Sequence, residues 1–189
     1  MFSLRRPTAA RVAAFRARAE AAGWSYAPVG GTRAGGPVRG YFLDRREVVL
    51  GHGEAVFARA RRALRGWAPF AGGWPALCGT PAPVAPGVTV VLRVRTLGVY
   101  SLVANRVVYV VDEPRRFGFA YGALHGHVAA GEELFSVTHG ADDAVRFSLL
   151  AFSRPQATLA YLGAPVMRAV QRRVGRAYAR AMLNAVRAP

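Results

Sequence analysis

A chain of 189 residues, 52% apolar and 11% aromatic, is long enough for one domain with a buried core and too apolar for a disordered one. Its single cysteine, Cys78, excludes an internal disulfide and fits a reducing compartment, and no stretch approaches the roughly 20 apolar residues of a spanning helix. The formal net charge of +16, carried by arginine without one lysine, turns attention to anionic partners, a solvated basic surface being the plainer alternative.

Arg5-Arg6 invites an export-signal reading, but Arg11, Arg16 and Arg18 interrupt any apolar run behind it, so a soluble cytoplasmic protein is expected. Residues 8–22, TAARVAAFRARAEAA, predict a helix capped by Thr8, with Val12, Phe15 and Ala19 on one face. APVGGTRAGGPVRG, residues 27–40, has the Gly/Pro content of a linker. REVVLG (46–51) predicts a short strand, and GEAVFARARRALRGW (53–67) a helix turning Phe57, Ala60, Leu64 and Trp67 inward. From 87 to 154 the period switches to alternation. GVTVVLRVRT, VYSLVANRVVYVVD, RRFGFAYG, EELFSVT and AVRFSLLAF are β-rich runs with turn residues between them, which predicts an antiparallel meander. A long helix, roughly 158–187, closes the chain, its stripe of Leu162, Val166, Val170, Val174, Tyr178 and Met182 spaced by four, with Gly163 and Pro165 kinking its start. The expected fold is α+β: a curved antiparallel sheet wrapped around that helix.

This order of elements resembles the helix-grip superfamily of START lipid-transfer domains, polyketide cyclases and birch-pollen-allergen proteins. More narrowly, DRREVVLGHGEAVFARARRALRGW, NRVVYVVDEPRRFGFAYG, GHVAAGEELF and LLAFSRP resemble a family of unknown function found in bacteria and plants and sometimes fused to YndJ-like membrane proteins. That family's pattern has proline before Gly126, where this chain has His125. The resemblance implies a helix-grip domain over 41–189, preceded by a helix and linker over 1–40, and an apolar cavity between sheet and C-terminal helix. It supplies no catalytic residues.

Among candidate groups, GALHGHVAAGEELF (122–135) crowds His125, His127, Glu132 and Glu133 together. Phe117, Phe119, Tyr121, Ala123, His125 and His127 share a parity, and Glu133 shares one with Phe135 and Val137, so Glu133 is the inward acid. His127 with Glu133 is the weak candidate pair for proton transfer, and a hydrogen-bonded turn at a cavity mouth is the preferred reading. His125-x-His127 with one carboxylate is too sparse for a metal, with Cys78 far away in sequence, and no metal or other cofactor is expected. No serine elbow or phosphate loop is present; GGTRAGG lacks the required ending. Arg106 stands in a row with Leu102, Ala104, Val108 and Val110, and would hold a ligand anion if that face lined the cavity; Tyr109, of opposite parity, is the alternative polar handle.

The wall of a ligand cavity is therefore assigned to Phe117, Phe119, Tyr121, Phe135, Phe147, Leu149, Val166, Met167 and Val170, with Arg106, Tyr109, His127 and Glu133 as polar contacts. Binding or carrying a small apolar or amphipathic molecule is the leading function. A cyclase- or hydrolase-like enzyme using His127 and Glu133 is the rival. Arg168, Arg172, Arg173, Arg176 and Arg180 on the last helix carry a third reading, weak contact with an anionic membrane surface; no sequence signature supports specific nucleic-acid binding.

Overall fold

The computed structural model describes residues 2–72, 74–96, 98–155 and 163–187, with backbone alone over 163–172. Strand β1 (Phe2–Ser3) and helix α1 (Ala9–Glu20) lead to β2 (Phe42–His52), α2 (Glu54–Arg65) and β3 (Ala76–Leu77). The meander follows as β4 (Thr89–Thr96), β5 (Val99–Glu113), β6 (Arg116–Ala123), β7 (Ala129–His139) and β8 (Ala144–Pro155), and α3 (Gly163–Arg187) closes the chain. All neighbours pair antiparallel in the order β2-β8-β7-β6-β5-β4-β3, with β1 added to β5. The run read as REVVLG is a strand of 11 residues paired along β8, so the first and last long strands meet at one edge.

Alternation sorts the meander into two faces. On the concave face the register aligns Tyr121, Glu133, Ala151 and Asp44 in one row across β6, β7, β8 and β2. The next row is Phe119, Phe135, Leu149 and Arg46, and the third is Phe117, Val137, Phe147 and Val48. The second half of α3 lies in this concavity. Tyr178, Met182 and Val186 are buried there with Phe57 and Leu64 of α2, which bears out the spacing of four for that half. Phe70 sits between Phe135 and Tyr178, with ring centroids 5.5 and 5.1 Å away, and Trp67 packs on Phe119 at 4.7 Å. Leu162, Val166, Met167, Val170, Arg168 and Arg172 fall outside the described side chains. No helix among the described residues is long and apolar enough to cross a membrane.

The convex face carries α1, whose Phe15 and Ala19 pack against Ala104 and Leu124, and whose Val12 and Phe15 meet Cys78, Val91 and Leu102. Thr8 caps the helix by accepting the Arg11 N–H at 3.4 Å. The segment expected to be a linker, 27–40, is a strap on this same face. Gly31–Ala34 forms a 3₁₀ turn, and Gly31 has no side chain because a Cβ would press into the Phe152 ring. β5 carries the other departure: its register shifts between Val107 and Tyr109, so the alternation reverses at Val108.

Candidate functional site

Two carboxylates adjacent in sequence point to opposite faces of β7, and they do different work. Glu132 faces the strap and is buried. It accepts hydrogen bonds from the Tyr26 hydroxyl at 2.6 Å, the Gly30 N–H at 2.7 Å, the Thr32 N–H at 3.0 Å and the Thr32 hydroxyl at 2.5 Å. The glycine-rich loop is thus an anion cradle after all, and the anion is a side chain of the same protein. Burial, followed by its hydrogen bond to Glu132 and that neighbour's charge, drives the Tyr26 phenol far above its ordinary range and keeps it a donor.

Glu133 faces the concavity, as its parity predicts. Tyr121 donates to its Oε2 at 2.9 Å. Tyr178 of α3 is buried in the same cluster, close enough to Tyr121 for each phenol to perturb the other. Burial pushes the Glu133 carboxyl up to about 7; the Tyr121 bond opposes this and the Asp44 charge adds to it. Burial also raises both tyrosines well above their usual value, so they remain neutral donors. Glu133 and His127 are each partly exposed. A carboxyl poised near neutrality inside an apolar shell can donate a hydrogen bond or exchange a proton with a bound molecule.

Beside Glu133 in the same row, Asp44 accepts from Arg46 Nε and Nη2 at 3.0 and 2.9 Å. Arg46 lies against α3 at Gly175, where any Cβ would overlap its side chain. A groove of about 390 Å³ opens here between the β2–β8 edge and α3. Val48, Phe147 and Leu149 form its floor, Gly175, Arg176 and Ala179 its helical wall, and Arg45, Arg46 and Glu47 its rim.

The remaining expected contacts divide by face. Phe117, Phe119, Tyr121, Phe135, Phe147 and Leu149 are buried in the core cluster of the concave face. Arg106 and Tyr109 are on the convex face, because the bulge at Val108 turns both outward. Arg106 caps α1: Nη2 donates to the carbonyls of Ala19 at 3.2 Å and Glu20 at 2.8 Å, Nε donates to Thr89 at 3.1 Å, and the guanidinium lies over Trp24. Tyr109 bonds Thr32 Oγ1 at 2.7 Å under the Arg33 guanidinium. Neither reaches the groove. His127 does not join Glu133 in a hydrogen bond; its Nδ1 accepts the Ala129 N–H at 3.0 Å, and burial lowers it to about 4, leaving it neutral. His125 is exposed beside Phe15, Arg18 and Ala22. Arg173, Arg176 and Arg180 are exposed on α3.

Asp44, Arg46, Tyr178 and Glu132 were not among the expected site residues. Tyr178 carried the one available signal: a phenol in a stripe of aliphatic residues needs a partner for its hydroxyl.

Comparison with known proteins agrees with this architecture. A domain of unknown function, DUF1990, matches residues 25–181. A UPF0548 protein of Deinococcus radiodurans is 42% identical over 197 aligned residues, covering 98% of each chain. The crystal structure of hypothetical protein jhp0584 from Helicobacter pylori superposes with a TM-score of 0.58 at 11% identity, over 87% of this chain and 96% of that one. The di-domain ARO/CYC BexL of the BE-7585A biosynthetic pathway does so with a TM-score of 0.53 at 13% identity, over 79% of this chain and 51% of that one. With its curved sheet, α3 held in the concavity and this match over most of its length, the chain belongs to the DUF1990 (UPF0548) family and has a START- and cyclase-like helix-grip fold.

Proposed function

We propose that the protein binds a small amphipathic molecule in the groove between the β2–β8 edge and α3, with its apolar body on Val48, Phe147 and Leu149 and its polar end toward Glu133, Tyr121 and Tyr178. The observation that carries this reading is the hydrogen-bonded Tyr121–Glu133 pair on the concave face, one row away from Leu149 in the apolar floor of an open groove. Apolar burial at about 25 cal/mol per Å² supplies affinity, and a few enclosed polar groups set orientation. A second reading follows from the Glu133 carboxyl itself. Held near 7, it suits proton transfer to a bound molecule, with Tyr121 rather than His127 as the group that orients it.

Ala179 on the helical wall tests the binding reading, because it is half-exposed and a larger side chain there fills the groove rather than the core. With 1-anilinonaphthalene-8-sulfonate as probe, Ala179→Phe is expected to weaken binding by at least about tenfold, the loss of one well-buried apolar contact surface, while the thermal midpoint stays within about 3 °C of the parent. Equal probe affinity in parent and variant refutes the groove as the binding site.

A further inference from the structure

The meander sends its turns to two ends, and the charges separate with them. Asp112, Glu113, Asp142 and Asp143 occupy the β5–β6 and β7–β8 turns, where Arg61 and Arg65 pair with Asp112 and Arg146 pairs with Asp142. The opposite end holds the β4–β5 and β6–β7 turns, and residues 2–6 lie along it. Phe2 stands opposite Ser101 and Ser3 opposite Tyr100, so the chain leaves β1 toward the β4–β5 turn. Phe2, on β1, is 65% exposed, and Leu4, in the bend that follows it, is 81% exposed. Arg5, Arg6 and Arg95 are exposed around them. Arg95 lies over Tyr100, and its carbonyl accepts the Trp74 indole N–H at 2.6 Å. Arg173 reaches from α3 over the Trp74 ring.

Among the described residues, none of Arg5, Arg6, Arg95 and Arg173 is in an ion pair, and residues 55–111 contain no acid at all. A basic patch that serves phosphates alone has no use for two large apolar side chains held in water. A bilayer surface takes both: apolar groups enter the boundary between headgroups and acyl chains, and arginines hold the lipid phosphates. At the far end the acids offset the arginines around them, so unpaired positive charge is concentrated at this end and turns it toward negative charge.

We propose that this end of the molecule docks on an anionic bilayer, with Phe2 and Leu4 inserted at the headgroup boundary and Arg5, Arg6, Arg95 and Arg173 on lipid phosphates. The surface is separate from the groove, and docking does not depend on a ligand there.

Flotation of the full chain with vesicles of phosphatidylcholine, with and without about 30 mol% phosphatidylglycerol, tests it at salt from about 0.05 to 0.5 M. The parent is expected to bind the anionic vesicles at least about tenfold more tightly than the neutral ones, and to lose that preference as salt rises. Phe2→Ser/Leu4→Ser is expected to lose at least about tenfold in affinity for anionic vesicles, and Arg5→Gln/Arg6→Gln about thirtyfold. Both pairs are exposed, and the arginine pair tests the same surface if the apolar pair perturbs folding. Indifference to lipid charge overturns the proposal, as does unchanged vesicle binding by both variants. Tighter binding to a short duplex DNA, unaffected by Phe2→Ser/Leu4→Ser, would make the patch a nucleic-acid interface and overturn it equally.

Discussion

Replacing Glu132 by alanine is expected to lower the free energy of unfolding by about 4 kcal/mol, the cost of stripping a buried charged acceptor from its donors. The carboxylate is 1% exposed and accepts from Tyr26, Gly30 and twice from Thr32. Once it is gone, the Tyr26 and Thr32 donors stay buried under the strap without an acceptor. Glutamine keeps the volume but offers one oxygen where the carboxylate has two, and turns an amide donor toward donors, so Glu132→Gln should recover only part of the loss, leaving about 2 kcal/mol. Denaturant midpoints measure both values. Amide hydrogen exchange supplies a local readout: protection over 27–40 should fall in Glu132→Ala well before protection in β5 to β8 does. A change below about 1 kcal/mol would mean that the strap is held by apolar packing alone.

Gly122→Ala is expected to cost about 2 to 3 kcal/mol through the same tyrosine, by overpacking and the loss of a charged hydrogen bond. Gly122 lies directly opposite Glu132 in the β6–β7 register. A Cβ at this position would overlap the Tyr26 hydroxyl and ring edge, so the phenol must leave its place. It then loses its bond to Glu132 and its edge contacts with Trp24 and Phe152, at centroid distances of 5.9 and 5.7 Å. Because both substitutions act through Tyr26, the double variant should be less destabilised than the sum of the singles by about 1 kcal/mol or more. Strict additivity would show that Gly122 is constrained by something other than the strap.

The meander, the burial of Tyr178 and Met182 in the second half of α3 and the inward direction of Glu133 were legible because alternation and a spacing of four report directly on burial. Phe117, Phe119, Tyr121 and Phe135 all lie on the face their parity predicts. Alternation failed in β5, where VVYVV is apolar at both parities and therefore gives no sign of the bulge that turns Arg106 and Tyr109 outward together. The role of Glu132 was hidden for a different reason. Its partners are about a hundred residues away in a segment whose composition reads as linker, and a loop that cradles a carboxylate of its own chain needs none of the residues that mark a phosphate loop. Arg46 and Gly175 were likewise unreadable, since their proximity is a property of how α3 crosses β2 and of neither segment alone.

The most direct test of the ligand-binding account is a carbon-13 titration of the Glu133 side-chain carboxyl, with and without 1-anilinonaphthalene-8-sulfonate. Without the probe the midpoint should lie at about 7, because burial disfavours the charged form. The sulfonate, seated in the groove beside the polar row, should move the midpoint upward, since a second negative charge favours the protonated acid. Ala179→Phe should keep the midpoint and abolish the movement. A midpoint in the ordinary glutamate range of about 4 to 5, unmoved by the probe, would contradict a recognition site on the concave face.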